Sequence, residues 1–450
     1  FDLADVAART GVEDALIIEA ARLFASGPKG TAITGTGPEM GAHPNLTQHL
    51  VSSLNIVCGR FYRAGDRLPN PGMLSPPSPK VAQVADVAVA WGRGERCRVR
   101  PDLGELVTPG RLGPSREMPT AQLADEILTP GEGQVKALFV IAGNPIMAWP
   151  DQEKALAAMK DLELLVCIDP YISATAELAD YVLAPKLTLE REDVTLLSDA
   201  WYEKPYSQYS RAVIESEHDV IEEWELYWAI ADRMNLEINI GRSVIPNQPK
   251  PEKFDVLKAI TNGSRVDLDW LRDNPGGHIF EDVVSEVQPG PEGSVSKLKL
   301  YPDGVEEEFA ELRAEPGLNA DFPHLLIGFR SKYVLNSFGH NLPALKKKSG
   351  TTNPAHLHPA DLAALGIDDD DEVQIASAHG QISAIVKADA KIKPGVIAMH
   401  HCWGLSPDKQ GSVRENGANT NLLVSSETDT QRYTGMTRSS SIPVRIKKSA

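Results

Sequence analysis

The continuous apolar run at residues 137–142, together with the predicted strand at residues 162–168, constrains the fold of this sequence more than any other feature. Runs of this kind are typical of strands that are buried on both faces of a parallel sheet. A helical pattern over residues 151–159 separates them, and a further strand pattern follows near residues 180–185. This alternation predicts an α/β fold in which helices cover a parallel, Rossmann-like sheet.

The N-terminal segment repeats the alternation in a weaker form. Residues 13–25 have apolar positions at helical spacing, and residues 31–34 predict a short buried strand. A second helix is predicted to end near Gly59. Together with the stronger pattern further along the chain, these elements predict one cofactor-binding α/β domain over residues 1–190.

The last 130 residues have a different pattern. Short apolar segments are separated by turns rich in Gly or Asp, at 325–328, 372–376, 381–386 and 395–399. Short strands at regular spacing indicate a β-barrel or a sandwich, so we predict a β domain over residues 321–450. Residues 191–320 are predicted to form a mixed α/β connecting domain, of which 239–320 has no clear pattern.

Charge and cysteine content exclude several classes of function. The chain has 45 Lys and Arg against 62 Asp and Glu, a net charge of −17, which argues against nucleic acid or an anionic membrane as main partner. No apolar run reaches 18 residues and no signal peptide is visible, so we expect a cytoplasmic protein without membrane insertion. The four cysteines form no CxxC pair, which argues against an iron–sulfur or structural zinc site within this sequence; they are Cys58, Cys97, Cys167 and Cys402.

Polar or glycine-rich turns follow three of the predicted strands. Ligands bind at the carboxyl ends of strands in an open parallel sheet, which makes these turns candidate binding loops. Gly35 and Gly37 allow backbone N–H groups to approach an anion, although a plain tight turn also explains them. The Gly143-Asn144-Pro145 turn offers an amide to a phosphate or a base. Asp169 offers a carboxylate to ribose hydroxyls or a guanine edge, with a simple helix cap as the alternative.

The C-terminal segment carries clusters of amide and imidazole side chains. Such groups suit a ring system rich in hydrogen-bond donors and acceptors. The clusters lie at residues 336–341, 353–359, 400–403 and 416–421. A zinc site from the histidines of these clusters, His356, His358, His400 and His401, is disfavoured because no carboxylate or thiolate lies beside them at ligand spacing. A Ser–His–Asp hydrolase is also disfavoured, since the sequence has no G-x-S-x-G motif.

Three stretches of this sequence resemble, in the right order, the molybdopterin oxidoreductases of the dimethyl sulfoxide reductase and formate dehydrogenase class. The first runs from Gly35 through residues 54–60 to Gly65, and the second comprises residues 140–145, 167–170 and 175–185. The third begins with residues 353–367 and continues through residues 392–396. The resemblance implies that the C-terminal barrel is of the double-psi type and that the chain is the C-terminal portion of such an enzyme.

The resemblance also implies a bis-molybdopterin guanine dinucleotide cofactor that carries molybdenum or tungsten. Residues of the α/β half would contact one guanosine and its pyrophosphate: Gly35, Gly37, Gly143, Asn144, Pro145, Asp169 and Asp180. Residues of the barrel would line the pterin: Asn336, Ser337, His340, Asn341, Trp403 and Asn421. No residue of this sequence corresponds to the family's metal ligand or to its cysteine cluster, so a 4Fe–4S cluster is expected only through an N-terminal part beyond this sequence.

The expected activity is two-electron redox chemistry on a small molecule, with formate as one candidate and an electron-transfer partner implied. Two other classes of function stay open from the sequence. One is a non-catalytic, cofactor-binding or chaperone-like subunit with the same fold. The other is an unrelated nucleotide-dependent α/β enzyme. Metal and nucleotide analysis would distinguish the three classes.

Overall fold

The computed structural model describes residues 1–28, 30–82, 91–92, 98–100, 105–108, 115–295, 297–315, 317–340 and 342–449. The predicted site residue Asn341 and the cysteine Cys97 lie outside the described residues. The helices are α1 Leu3–Thr10, α2 Asp14–Ser26, α3 Thr36–Glu39, α4 Pro44–Val57, α5 Leu123–Leu128, α6 Pro145–Ala148, α7 Gln152–Asp161, α8 Glu223–Met234, α9 Lys253–Ile260, α10 Leu268–Asp273, α11 Val305–Ala314, α12 Pro343–Ser349, α13 Pro359–Leu365 and α14 Val413–Asn416.

The strands fall into one parallel sheet, one closed barrel and several small antiparallel sheets. They are β1 Arg67–Leu68, β2 Trp91–Gly92, β3 Glu105–Thr108, β4 Ser115–Glu117, β5 Ala137–Ile141, β6 Leu164–Ile168, β7 Tyr181–Leu183, β8 Asp193–Val194, β9 Tyr206–Ser207, β10 Tyr209–Ser210, β11 Ile238–Ile240, β12 Ser243–Ile245, β13 His278–Ile279, β14 Ser285–Glu286, β15 His324–Phe329, β16 Ala355–Leu357, β17 Glu372–Ala376, β18 Gln381–Ala388, β19 Val396–His400 and β20 Ile442–Lys448. Among the described residues, no helix is long and apolar enough to cross a bilayer.

The parallel sheet has the order β5-β6-β7, and both pairings are parallel. The sequence pattern predicted this arrangement, and the helix predicted between the first two strands is α7. The Asp151 carboxylate caps that helix by accepting a hydrogen bond from the backbone N–H of Lys154 at 3.2 Å. Between β6 and β7 the chain forms a single 3-10 turn over Ala176–Leu178.

One detail of the sheet prediction is wrong, because only β6 is buried on both faces. On β5 the side chain of Val140 is buried, whereas Phe139 and Ile141 are 38% and 44% exposed. Helices α5, α6 and α7 pack on the face that carries Val140 and form a hydrophobic core there. The opposite face carries Phe139, against which the ring of Tyr227 from α8 lies at a centroid distance of 6.3 Å.

The strand predicted over residues 31–34 does not form. The side chain of Asn55, on α4, makes two hydrogen bonds with the backbone of Ala32. The Ala32 N–H donates to Asn55 Oδ1 at 2.8 Å, and Asn55 Nδ2 donates to the Ala32 carbonyl at 2.8 Å. An amide side chain thus occupies the position that a neighbouring strand would fill, and Ile33 remains 80% exposed. The short apolar segment alone could not reveal this partner.

The C-terminal segment forms a closed barrel with the strand order β15-β19-β16-β18-β17-β20. Strands β15 and β19 pair in parallel, as do β16 and β18, and the remaining pairs are antiparallel. Buried aliphatic side chains such as Leu357, Ile375 and Ile397 fill the interior. The barrel prediction is therefore confirmed, and its sandwich alternative is excluded. Strands β16 and β20 were missed, because the first has three residues and the second contains Pro443.

The segment 239–320, which had no clear sequence pattern, contains α9, α10, α11 and several two- or three-residue strands. Helix α9 and helix α10 bury Leu257 and Leu271 against Met73 and Leu74 from the N-terminal half. The segment and the N-terminal half thus share a small hydrophobic core. The predicted domain boundaries stay a prediction.

The barrel and the parallel sheet are in direct contact. Asp151 N–H donates to the Val424 carbonyl at 2.9 Å, and Gln152 Nε2 donates to the Leu405 carbonyl at 3.1 Å. The Cys402 side chain, in the loop after β19, packs into the core under the sheet. These contacts bring the loop after β19 to the carboxyl ends of β5 and β6.

Candidate cofactor-binding site

A cavity of about 290 Å³ lies between the loops that follow β5 and β6 and two loops of the barrel. The barrel loops are residues 337–340, which precede α12, and residues 402–409, which follow β19. Its lining comprises Ala142, Gly143, Asn144, Met147, Asp169, Pro170, Tyr171, Ile172, Ser173, Ala174, Glu177, Ser337, Phe338, Gly339, His340, Cys402, Gly404, Leu405, Ser406 and Lys409. The cavity therefore joins the carboxyl edge of the parallel sheet to the barrel, as ligand sites in open sheets do.

Asn144 is held in place by the buried side chain of Thr175. The Thr175 hydroxyl donates to Asn144 Oδ1 at 2.9 Å and accepts from the backbone N–H of Ile146 at 3.1 Å. This bond occupies the amide oxygen and leaves Nδ2 without a partner among the described residues. Asn144 can therefore present two N–H donors to a ligand while its own orientation is fixed.

Asp169 forms a tight turn directly after β6. Its Oδ1 accepts a hydrogen bond from the backbone N–H of Tyr171 at 2.9 Å, and the second oxygen is available to a ligand. Burial raises the pKa of the Cys167 thiol to about 11, and the negative charge of Asp169 adds to that effect. An ionised carboxylate at this position can accept hydrogen bonds from ribose hydroxyls or from the N–H groups of a guanine.

His340 forms the barrel side of the cavity. Its ring lies against Trp403 at a centroid distance of 4.2 Å with 34° between the planes. Burial, with smaller contributions from the nearby His400 and Lys346, lowers the pKa of His340 to about 4. Its Nε2 is buried and has no hydrogen-bond partner among the residues that the structure describes. A buried ring nitrogen without a partner is costly, so His340 provides a neutral donor or acceptor that a ligand can satisfy.

A second imidazole cluster supports the loop that carries Ser337. His401 Nε2 lies 3.1 Å from Asn336 Oδ1, and Arg330 donates to the same oxygen at 2.5 Å. Burial and the Arg330 charge lower the pKa of His401 to about 4, so that its ring is neutral near pH 7. Trp403 Nε1 donates to His400 Nδ1 at 3.0 Å.

Three non-glycine residues around the cavity have left-handed backbone conformations. Their φ angles are 48° at Ala142, 52° at Asn336 and 61° at Cys402. Such conformations cost free energy and are concentrated at functional sites in proteins. The two sides of the cavity thus share an uncommon backbone feature.

The structure brings together several of the residues that the sequence singled out. Gly143, Asn144, Asp169, Ser337 and His340 all line the cavity. Three other predicted residues lie next to these lining residues but do not line the cavity themselves. Pro145 is the first residue of α6, Asn336 supports the 337–340 loop, and Trp403 stacks on His340.

The remaining predicted residues lie elsewhere. Asp180 precedes β7, and its Oδ2 accepts from the Leu165 N–H at 2.7 Å; it therefore ties the amino ends of β6 and β7 together, away from the cavity. Asn421 donates to the Met147 carbonyl at 2.9 Å and lines a different cavity of about 420 Å³. Gly35 and Gly37 are exposed at the start of α3 and do not line the cofactor cavity.

Sequence reasoning missed the aromatic residues of the cavity. Tyr171 and Phe338 meet across it at a centroid distance of 5.8 Å and an interplanar angle of 61°. Lys409 forms an ion pair with Glu177 that also joins the two sides. Tyr171 directly follows Asp169-Pro170, and Phe338 lies within the 336–341 cluster, so the signal for both was their position beside residues already selected.

Among the residues that the structure describes, no three His, Cys, Asp or Glu side chains are grouped to hold a metal ion. The four histidines of the disfavoured zinc hypothesis have other contacts. His356 Nδ1 lies 3.5 Å from Asp389, and His358 Nδ1 accepts from the Ala360 N–H at the start of α13. The ring of His400 stacks on that of His401.

The cavity residues fit a large polar cofactor with an anionic and a heterocyclic part. Asn144 Nδ2 and Lys409 offer donors, and Asp169 offers an acceptor. The unpartnered His340 Nε2 can donate or accept, depending on the tautomer of the ring. Tyr171 and Phe338 offer aromatic surface. A cavity of about 290 Å³ is near the lower end of the range for ligand sites, so it suits one portion of such a cofactor.

Comparisons with known proteins identify that cofactor. The family model "Molybdopterin oxidoreductase" matches residues 34–233, and "Molydopterin dinucleotide binding domain" matches residues 325–440. The two matches contain the α/β side and the barrel side of the cavity, respectively. A parallel sheet and a closed barrel, each within a segment that one of these models matches, define the class of protein as one with a molybdopterin dinucleotide cofactor. The chain belongs to the molybdopterin oxidoreductase family, as the sequence resemblance predicted.

Individual relatives agree with this assignment. Acetylene hydratase of Syntrophotalea acetylenica is 26% identical over 303 residues, which cover 62% of this chain and 38% of the relative. The F420-dependent formate dehydrogenase 1 subunit alpha of Methanococcus maripaludis is 26% identical over 282 residues, which cover 62% and 40%. The solved structure of acetylene hydratase from Pelobacter acetylenicus matches the fold with a TM-score of 0.73 at 20% identity, over 100% of this chain and 65% of that one. The chain thus spans about two fifths of the length of these curated relatives.

Proposed function

We propose that this chain is the C-terminal part of a molybdenum or tungsten oxidoreductase and that it binds bis-molybdopterin guanine dinucleotide. The observation that carries the proposal is the cavity in which Asn144 and Asp169 of the sheet face His340 of the barrel. Its donors, acceptors and aromatic rings come from the two segments that the family models match. In this proposal the sheet is Rossmann-like and the barrel is of the double-psi type, which the parallel pairs β15–β19 and β16–β18 support.

Each side of the cavity has a separate role in the proposal. Asn144 and Asp169 bind one guanosine and its pyrophosphate, while Ser337 and His340 contact the pterin side, with Trp403 positioning the His340 ring. Asp180 and Asn421 act indirectly, by holding β6 to β7 and α6 to the barrel. When bound, the cofactor supplies two-electron redox chemistry at its metal, and this chain binds and orients it.

The substrate is proposed to be a small molecule, and formate is one candidate because one relative is a formate dehydrogenase subunit. The similarity to an acetylene hydratase makes hydration of a small unsaturated molecule the reaction to assay beside it. A redox reaction requires an electron-transfer partner, which we propose to be a separate protein or subunit. The metal ligand and any iron–sulfur cluster are proposed to belong to residues that precede this sequence in the full-length protein.

The test is Asn144→Asp in the full-length protein. The new carboxylate keeps the oxygen that accepts from Thr175, so the loop retains its 2.9 Å contact. It replaces the Nδ2 donor with a negative charge, and repulsion from the anionic pyrophosphate should weaken cofactor retention. We expect molybdenum or tungsten, and the guanine nucleotide released by acid, to fall at least about tenfold, as a loss of roughly 1.4 kcal/mol or more in binding free energy implies.

Asn239→Asp is the matched control, because Asn239 is exposed on β11 and is far from the cavity in sequence. The control should keep the metal and guanine content of the unaltered protein. If Asn144→Asp kept the same metal and guanine content as Asn239→Asp, the assignment of the 143–145 loop to cofactor binding would be refuted. A full-length protein that folds and works without any pterin would refute the proposed function. A metal-loaded protein with neither redox nor hydratase activity would favour the non-catalytic alternative.

A further inference from the structure

Helix α2 carries an apolar stripe that the described residues leave uncovered. None of its 13 residues is buried. Leu16, Ala20 and Leu23 have the spacing that places side chains on one side of a helix, and all three are exposed. A helix in a globular protein gains most of its stability by packing such a side against other elements. The described structure therefore lacks the packing partner that this helix needs.

Helix α4 has the same feature on its outer side. Its inner side is anchored by the buried Leu46. Three apolar residues on the outer side have the same helical spacing and are exposed: Leu50, Leu54 and Val57. Arg60, just after the helix, holds this end of α4 to α2. Its guanidinium lies 4.0 Å from the centroid of the Phe24 ring and donates to the Gly27 carbonyl at 3.1 Å. The two uncovered stripes therefore lie on neighbouring helices.

Residues 31–34, between these two helices in sequence, have one free backbone side. Asn55 exchanges two hydrogen bonds with the backbone of Ala32, so one side of the segment is occupied. Residues next to such a pair in a β ladder direct their N–H and C=O groups to the opposite side. The backbone groups of Ile33 have no hydrogen-bond partner among the described residues, and its side chain is 80% exposed. Free backbone groups beside an exposed apolar side chain form a template for a further strand.

We propose that residues preceding this sequence in the full-length protein cover the two helices and pair a strand with residues 31–34. We call the covered region the α2–α4 surface; its members are Leu16, Ala20, Leu23, Ile33, Leu50, Leu54 and Val57. The inference rests on the proposed function, in which such residues exist and carry the metal ligand. It adds the place where they bind to this chain.

The comparisons and the position of the surface favour this occupant. The aligned parts cover 38% and 40% of two curated relatives, and the fold match covers 65% of the solved acetylene hydratase, so these proteins have long further segments. Helix α2 begins at Asp14, close in sequence to Phe1. A segment joined to Phe1 has a high effective concentration at a surface this close, which a separate protein does not have.

The α2–α4 surface is also tied to the barrel. The backbone N–H groups of Ser439 and Ser440 donate to the Met40 carbonyl, at 3.1 and 3.0 Å, just before α4 begins. Residues bound on this surface are therefore held in a fixed position relative to the barrel. This arrangement would position the proposed metal ligand with respect to a cofactor that the barrel helps to bind.

The test measures the accessibility of a new thiol in the full-length, metal-loaded protein. Ile33→Cys and Leu197→Cys form a matched pair, because the two side chains are 80% and 82% exposed in this structure and Leu197 lies outside the α2–α4 surface. Peptide mass spectrometry gives the rate of iodoacetamide modification of each thiol in the native protein and in urea. Ile33→Cys should react at least about tenfold more slowly in the native protein, whereas Leu197→Cys should change by about threefold or less.

A photoreactive group attached to the Ile33→Cys thiol identifies the residues that cover it. We expect a cross-link to a peptide that precedes this sequence, with no increase in mass on a denaturing gel. A cross-link to a second copy of the protein, or only to residues of this sequence, would overturn the inference. So would equal rates for Ile33→Cys in the native and unfolded protein, or protection of Leu197→Cys as strong as that of Ile33→Cys.

Metal and guanine contents of the same preparations keep this inference apart from the proposed function. A fully loaded protein in which Ile33→Cys reacts as fast as in urea would overturn this inference alone. A protein that contains no pterin but protects Ile33→Cys and gives the expected cross-link would support the covered surface and refute the proposed function.

Discussion

Asn353 provides the sharpest test of how the barrel supports the site. Its side chain is 3% exposed and makes three hydrogen bonds to the backbone. Nδ2 donates to the carbonyls of His400 at 2.6 Å and Ala418 at 2.9 Å, and Oδ1 accepts from the Ala418 N–H at 2.8 Å. The residue thus joins the end of β19 to the segment that carries Ala418. Asn353→Ala removes all three bonds at once.

The expected loss follows from the burial of these groups. A buried polar group left without a partner costs about 1–3 kcal/mol. The lower value for each of three groups gives a loss of about 3 kcal/mol, which corresponds to about a 100-fold change in an equilibrium constant. Water that enters the vacated space can form hydrogen bonds with some of these groups and recover part of the lost free energy. We therefore use the lower value for each group, which gives about 3 kcal/mol in total.

Hydrogen exchange measured by mass spectrometry tests this magnitude. The backbone amides of β19 should exchange about 100-fold faster in the variant, because exchange reports the free energy of local opening. Asn239→Ala, at an exposed position, should change exchange by about twofold or less. If β19 exchanges at the same rate in Asn353→Ala as in the unaltered protein, the three hydrogen bonds do not stabilise the barrel and the reasoning is refuted.

Two further predictions concern titratable groups. Burial places the pKa of His340 at about 4, below the ordinary 6.5, so the unfolded chain takes up a proton first as the pH falls through this interval. Folding stability should therefore decrease from pH 6.5 towards pH 4. Between pH 7 and 5 the midpoint of urea unfolding should fall less in His340→Gln than in the unaltered protein. An equal fall in both proteins would contradict the pKa assignment. Burial also raises the thiol pKa to about 11 at Cys167 and about 12 at Cys402, so at pH 8 iodoacetamide should modify the half-buried Cys58 before either of these two. Peptide mass spectrometry that finds Cys402 modified as fast as Cys58 would contradict its burial.

The sheet side of the site could be predicted from the sequence for a physical reason. An apolar run followed by a polar turn marks the carboxyl end of a parallel strand, and such ends meet at one edge. Asn144 and Asp169 satisfied this rule and both line the cavity. Asp180 was expected only from the family resemblance, and the rule does not select it, because it precedes its strand instead of following it. Its carboxylate accepts a hydrogen bond from the backbone N–H of Leu165.

The barrel side was predictable only as a set of candidates. Amide side chains bind ligands and backbone groups equally well, and the sequence does not show which partner each one has. Asn353 and Asn421 belonged to clusters that suggested ligand contacts, yet both are bonded to backbone carbonyls inside the protein. The left-handed conformations of Ala142 and Cys402 also have no sequence signal, because neither residue type favours positive φ.

The central claim is that one cavity between the parallel sheet and the barrel binds the guanine dinucleotide end of a molybdopterin cofactor. An electron cryo-microscopy structure of the full-length, metal-loaded protein tests it most directly. The account predicts guanosine density within hydrogen-bond distance of Asn144 and Asp169, with His340 Nε2 bonded to the cofactor. Guanosine density at another place in the chain, with His340 Nε2 still unpartnered, would contradict it.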